Sequence, residues 1–260
     1  MTGPATVFDK PTDYIGKSIP RSDAARLLRG QGRYVDDIQL PRMVHAVFLR
    51  SPYAHAKINA IDISQAIKLP GVVAIYTGKE IAQYVEPYVG VLSHLPGLRS
   101  PAQYPLAVDV ARWQGEPVAV VICASRASGE DALEHIRVDY ENLTAVTDTM
   151  NALLPDAPLI HKEYDSNLAW KREVEVGDLE EALAQDDVVV VEKQLKFGRH
   201  TGVTLETRAT VCDYIPGDEQ LIMYYAGQAP HMLQFILAKH LNMLVENVRV
   251  VAHDVGGSFG

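Results

Sequence analysis

Cysteine is nearly missing from this chain: Cys123 and Cys212 are the only two in 260 residues. Two thiols so far apart point to a reducing compartment and exclude a disulfide framework. They also exclude a self-contained iron–sulfur centre, which takes about four thiolates. Basic charge is short as well. Lys and Arg number 24 against 33 Asp and Glu, a net charge of −9. An acidic chain with no Lys/Arg stripe repels phosphate backbones, so no nucleic-acid partner is expected. No apolar run approaches the roughly 20 residues of a membrane span. Residues 1–17 are polar and lack the apolar stretch of a secretory signal. The histidines show neither H-x-x-x-H nor H-E-x-x-H spacing, so a zinc site is not expected. No G-x-S-x-G elbow and no Walker loop occur. A cytoplasmic protein without a membrane span is the resulting expectation.

What is present is core material. Hydrophobic residues make up 47% of the chain, and charged residues, 22%, are well mixed. Global disorder is excluded, and the length suits two ordinary domains. Residues 1–19 are rich in Pro, Thr, Asp and Gly and read as an extended arm. Strands are expected at 43–50 (MVHAVFLR), 56–63 (AKINAIDI) and 72–76, with Ser64 capping a short helix that Pro70 stops. Residues 84–105, with four prolines, read as a long loop. The apolar run 118–124 (VAVVICA) reads as a buried strand. Ser125 or Ser128 opens the next helix, and with a strand at 138–140 the stretch reads as a βαβ unit. Residues 141–175, broken by Pro155 and Pro158, read as a connection.

Beyond it, Asp178 with Glu181 forms the start of a short helix. Residues 188–197 read as a long strand. Residues 211–215 and 221–226 suit a hairpin turned at Pro216–Gly217–Asp218. Pro230 fits the first position of a helix over 231–241. A strand at 248–252 then runs into Gly256-Gly257-Ser258-Phe259-Gly260. The fold class is α/β (α+β), divided as an arm 1–19, a first domain 20–140, a connection 141–175 and a second domain 176–260.

Chemistry concentrates near the last residues. A glycine run after a buried strand brings backbone N–H groups close to a ligand and can form an anion nest. From the residues alone it reads equally well as a tight turn, and it is not the dinucleotide pattern G-x-G-x-x-G. Gln228, in Ala226-Gly227-Gln228-Ala229-Pro230, lies between a strand end and a helix start. It could donate to a ligand oxygen or satisfy nearby backbone. Glu206 and Arg208 in TLETR suit an ion pair anchoring a loop, or contact with a polar ligand. A strand entering a glycine loop with nothing after it reads as a truncated chain.

Several segments in order resemble the large subunit of xanthine oxidase-type molybdenum hydroxylases, from about Ile15 onward. They are 15–20 with 26–37 (IGKSIP…RLLRGQGRYVDD), 49–55 (LRSPYAH), 70–77 (PGVVAIYT), 115–121 (GEPVAVV), 204–208 (TLETR), 227–231 (GQAPH) and 256–260 (GGSFG). The resemblance implies an α/β hammerhead domain over 20–140 and the start of a molybdopterin-binding domain over 176–260. It implies a molybdenum–molybdopterin cofactor in the cytosine dinucleotide form. Gln228 would donate to the metal's oxo ligand. Gly256, Gly257, Ser258, Phe259 and Gly260 would pack against the cofactor, with Gln228 and Phe259 just outside the metal's ligands. Ser258 departs from the family's commoner glycine.

No catalytic residue is expected in this chain, because the family's base glutamate lies downstream of Gly260. Partners implied are an iron–sulfur small subunit with 2Fe-2S clusters and an FAD-binding medium subunit, assembled as a dimer of heterotrimers. Two other readings stand beside this one. The chain could be a non-catalytic scaffold or docking piece, or, within the family, part of a carbon monoxide dehydrogenase.

Overall fold

The structure is a computed structural model that describes residues 14–90, 92 and 94–259. Residues 1–13 of the expected arm 1–19, and Gly260, lie outside the described residues. Among the described residues nine strands form three sheets of three. The first domain holds β1 (His45–Arg50), β2 (Ala56–Asp62), β3 (Val72–Thr77), β4 (Val110–Ala111), β5 (Pro117–Cys123) and β6 (Arg137–Asn142). The second holds β7 (Thr210–Ile215), β8 (Gln220–Tyr225) and β9 (Val248–Val251). The helices are α1 (Ala24–Leu28), α2 (Gly78–Ile81), α3 (Arg126–Leu133), α4 (Leu179–Leu183) and α5 (Pro230–His240). No helix among the described residues is long and apolar enough to cross a membrane.

In the first domain β5 is the centre of the order β1-β5-β3, antiparallel to both neighbours. Its burial explains its continuous apolar sequence: Val118, Ala119 and Val121 are fully covered. A central strand packed on both faces has no solvent side to alternate with. The second sheet, β4-β2-β6, shares the core, because Leu49, Ile61 and Val138 pack against the buried clusters of both sheets. Both cysteines are free, and Cys123 is buried in this core.

The expected βαβ unit at 118–140 is not formed. β5 and β6 lie in different sheets, so α3 is not a crossover between parallel neighbours. Periodicity shows the elements but not which sheet a strand joins. Helix α3 instead caps β1 and β5, with Ser125 accepting the Ser128 N–H as its N-cap. Its Gly129 is needed for close approach: a Cβ there would meet Cys123 Sγ and Val47 Cγ2 at 2.5 Å each. Helix propensity favours Ala over Gly by about 1 kcal/mol. Overpacking a filled core costs about 1–3 kcal/mol. Gly129→Ala is therefore expected to lower unfolding stability by up to about 2 kcal/mol despite the better helix former; a denaturant midpoint above the parent's would refute the close packing.

Ser64 does not cap a helix. Its N–H is bound by the Asp62 carboxylate at 2.9 Å, and the following turn is a 3-10 turn, Ala66–Lys68, ended before Pro70. The long loop before β4 is present and is tied to the segment that follows β6. Arg99 N donates to Ala169 O at 2.9 Å, Trp170 Nε1 to Pro96 O at 3.1 Å, and Arg112 Nε to Ile160 O at 3.3 Å.

The expected strand at 188–197 is absent. These residues join no sheet, with Val189 86% and Phe197 84% exposed. β-Branched composition suits a strand, but a ladder forms only when a partner edge is adjacent, and none of the three sheets extends to it. Just before it α4 forms, with Asp178 accepting from Glu181 N at 2.9 Å as expected. Because residues 151–170 are held against the loop, a protease at low dose is expected to cut first within 171–203. First cleavage at 151–170 would contradict these tethers.

Candidate functional site

The second domain contains the βαβ unit of this chain. The hairpin β7–β8 pairs Thr210 with Tyr225 through Ile215 with Gln220, as the Pro-Gly-Asp turn implied. Helix α5 follows with Pro230 in its first turn, where a missing N–H costs no helical hydrogen bond. It returns the chain to β9, which pairs parallel to β8, Leu221 beside Val248 and Tyr224 beside Val251. Gln234 fixes the helix on the strand entry, its amide donating to Val248 O at 2.7 Å and Val245 O at 3.1 Å.

Parallel neighbours end on the same side of a sheet. The loops leaving β8 and β9 therefore emerge together, strands being about 4.8 Å apart. One loop carries Gln228 and the other Gly256, Gly257, Ser258 and Phe259. In open α/β sheets the crevice beyond the carboxyl ends of the strands is where ligands bind.

Gln228 is exposed, and its side-chain amide has no hydrogen-bond partner among the described residues. Its backbone is placed by Gly227, whose missing Cβ leaves room for the Tyr225 ring folded back over it. The glycine loop is held mainly by its own chain. Gly257 has φ +142°, a conformation side chains disfavour, and a Cβ there would meet Thr204 Cγ2 at 2.5 Å. A Cβ on Gly256 would strike Glu206, and one on Gly202 would lie 2.7 Å from Phe259 Cβ. Residues 202–206 thus run beside 256–259 in opposite direction.

Glu206 anchors this loop, though not by pairing with Arg208. Its Oε2 accepts the Gly256 N–H at 2.6 Å and its Oε1 the Val35 N–H at 3.4 Å. Asp254 holds the strand exit. Arg26 grips it with both terminal nitrogens, at 2.7 and 2.6 Å, and Arg33 N donates at 2.7 Å. The Arg26 guanidinium first, then the Arg33 N–H, keep the Asp254 carboxyl far below the usual carboxylate range. A depressed acid stabilises the fold where it is ionised. This contribution is fully present above about pH 4 and is lost only as pH falls through the folded value. Sequence reading passed over Arg26, Arg33 and Asp254. The signal available was RLLRGQGRYVDD itself, a dense run of arginines needing an acidic partner, but that partner lies 228 residues away from Arg26.

The donors fit an oxygen-bearing, anionic group. Gln228 offers an uncharged amide. Among the described residues the N–H groups of Gly257, Ser258 and Phe259 and the Ser258 hydroxyl have no partner, whereas both nearby carboxylates are occupied. The Phe259 side chain is 72% exposed. A separate cavity of about 250 Å³, lined by Arg112, Trp113 and Glu116 of the first domain and by His161 of the segment after β6, shares no residue with these loops.

This architecture matches known families. Residues 29–144 match the aldehyde oxidase and xanthine dehydrogenase a/b hammerhead domain, and residues 160–260 match the molybdopterin cofactor-binding domain. Together the two cover most of the chain and define a hammerhead domain joined to part of a molybdopterin cofactor-binding domain. The chain belongs to the xanthine oxidase-type molybdenum hydroxylase family. It is 34% identical over 248 residues to nicotine 6-hydroxylase large subunit of Paenarthrobacter nicotinovorans, covering 95% of this chain and 30% of that protein. It is 31% identical to carbon monoxide dehydrogenase large chain of Afipia carboxidovorans, covering 95% of this chain and 31% of that one. Quinoline 2-oxidoreductase from Pseudomonas putida 86 superposes with a TM-score of 0.87 at 36% identity, over 94% of this chain and 31% of that chain. The chain thus spans about a third of the length of the relatives it matches.

Proposed function

We propose that this chain forms one wall of the molybdenum cofactor site in the large subunit of a hydroxylating dehydrogenase. The observation that carries this is the pairing of Gln228 with the unpartnered N–H groups of Gly257, Ser258 and Phe259 at adjoining ends of parallel β8 and β9. When bound, the molybdenum–molybdopterin group, in its cytosine dinucleotide form, supplies a two-electron acceptor for oxidation of a carbon by water-derived oxygen.

The chain's own residues bind and orient that group. The Gln228 amide donates to an oxygen beside the metal and adds no charge. The loop's N–H groups, aimed before the reaction begins, need no reorganisation as negative charge develops. Gly260, next in the sequence, is assigned to the same cofactor contact, and the exposed Phe259 ring would cover the group just outside the metal's ligands. Glu206 and Asp254 both accept hydrogen bonds from the chain's backbone and serve as anchors of the loop. The base is assigned to a glutamate outside residues 1–260.

The substrate class is an activated carbon in an N-heteroaromatic ring, an aldehyde or a similar compound, in line with the names of the nicotine and quinoline relatives. Electrons leave through a 2Fe-2S small subunit and an FAD medium subunit, in a dimer of heterotrimers in the cytoplasm. The likeness to carbon monoxide dehydrogenase keeps carbon monoxide as a second substrate reading.

The test uses the complete protein isolated with its partners. Stoichiometric molybdenum, dye reduction with quinoline or nicotine, and heavy oxygen in the product formed in 18-O water are expected. Dye reduction by carbon monoxide alone would shift the assignment to the second reading. Absence of metal would overturn the cofactor role and favour a scaffold.

A further inference from the structure

We infer that Arg26, Asp254 and Glu206 form a clasp by which the N-terminal segment positions the cofactor-facing glycine loop. This inference rests on the proposed cofactor role of that loop. The loop has little of its own to hold it. Its N–H groups after Gly256 make no hydrogen bond within the described residues, Gly257 has a φ of +142° that glycine adopts freely, and Ser258 and Phe259 are exposed. Left alone, such a segment samples many backbone states. What restrains it lies at its root, and all of it comes from elsewhere in the chain.

Two carboxylates carry the restraint, each bridging different segments. Asp254, with its side chain only 15% exposed, takes both terminal nitrogens of Arg26 and the N–H of Arg33, while its own N–H donates to Arg33 O at 3.2 Å. Glu206 joins Gly256 N to Val35 N. The loop root is thereby fixed to residues 26–35 on one side and to 202–206 on the other. A forked guanidinium on a carboxylate sets direction as well as distance, which a single ammonium contact does not. Arg26 also donates to Gln31 O at 2.9 Å, so its fork is oriented before it meets Asp254. Arg26 and Asp254 touch no bound group; they are positioning residues that act through the loop backbone.

The test compares Asp254→Asn, Arg26→Gln and Arg26→Lys in the complete protein, reading hydrogen exchange and bound molybdenum. In Asp254→Asn and Arg26→Gln, exchange over 254–259 is expected to rise by about tenfold or more, with Val118 to Cys123 of β5 unchanged. Molybdenum content falls in parallel. Arg26→Lys restores the charge but not the fork, so it recovers only part of the protection. Unchanged exchange in the loop would overturn the clasp, as would full recovery by lysine. Loosened loops with undiminished molybdenum would overturn its positioning role. If Asp254→Asn fails to fold, the two Arg26 variants give the same comparison. If the unaltered protein carries no molybdenum, the cofactor reading fails, and loop exchange still decides the clasp.

Discussion

Replacing Gln228 by alanine in the complete protein is expected to slow turnover by about 10²–10³-fold while leaving the fold intact. The side chain is exposed and makes no hydrogen bond within the chain, so its loss leaves no buried partner unsatisfied. The backbone around it is set by Gly227 under Tyr225 and by Pro230 opening α5, neither of which the substitution touches. The effect falls on the reaction because a donor already aimed at a charge-developing oxygen stabilises the transition state more than the ground state. Turnover number and thermal midpoint together decide the matter. An unchanged turnover number would remove Gln228 from the cofactor site, and a large drop in the midpoint would assign it a structural role instead.

The second large effect is on stability. Ile75→Ala is expected to cost about 2–5 kcal/mol of unfolding free energy, the range for removing a large aliphatic side chain from a filled core. Ile75 is 5% exposed and belongs to the cluster with Val121, Cys123, Ala132 and Ile136. Strand β3 supplies its own control. Val73, at the irregularity where the β3–β5 register shifts between Val72 and Ala74, is 61% exposed, and Val73→Ala should change stability by no more than about 0.5 kcal/mol. Chemical denaturation of both variants checks the contrast. Equal losses would mean that Val73 is buried as well and that the first-domain core is drawn wrongly.

Much was legible without coordinates where a local rule has a local cause. β5 announced itself by an unbroken apolar run, the β7–β8 hairpin by Pro-Gly-Asp, and α5 by Pro230 at its start. The N-caps of α3 and α4 followed from Ser125 and Asp178, since a side-chain oxygen reaches N–H groups only a few residues on. Gln228 and the glycine run stood out because both sit where a strand gives way to a loop.

What only the tertiary structure decided depends on segments far apart in sequence. The run at 188–197 has strand composition but no partner edge, so it stays outside the sheets and exposed. The βαβ unit lies at β8-α5-β9 rather than around α3, because sheet membership is chosen by packing and not by the order of elements. The glycine loop reads in sequence as an opening for a ligand; in space part of its missing Cβ volume is taken by Thr204 and Glu206. Asp254 looked like an ordinary charge beside a histidine until folding brought Arg26 onto it. Hydrophobic periodicity and turn chemistry act over a few residues and are written in the sequence itself. An ion pair across 228 residues, and glycine contacts with a segment about fifty residues away, exist only once the core has brought their carriers together.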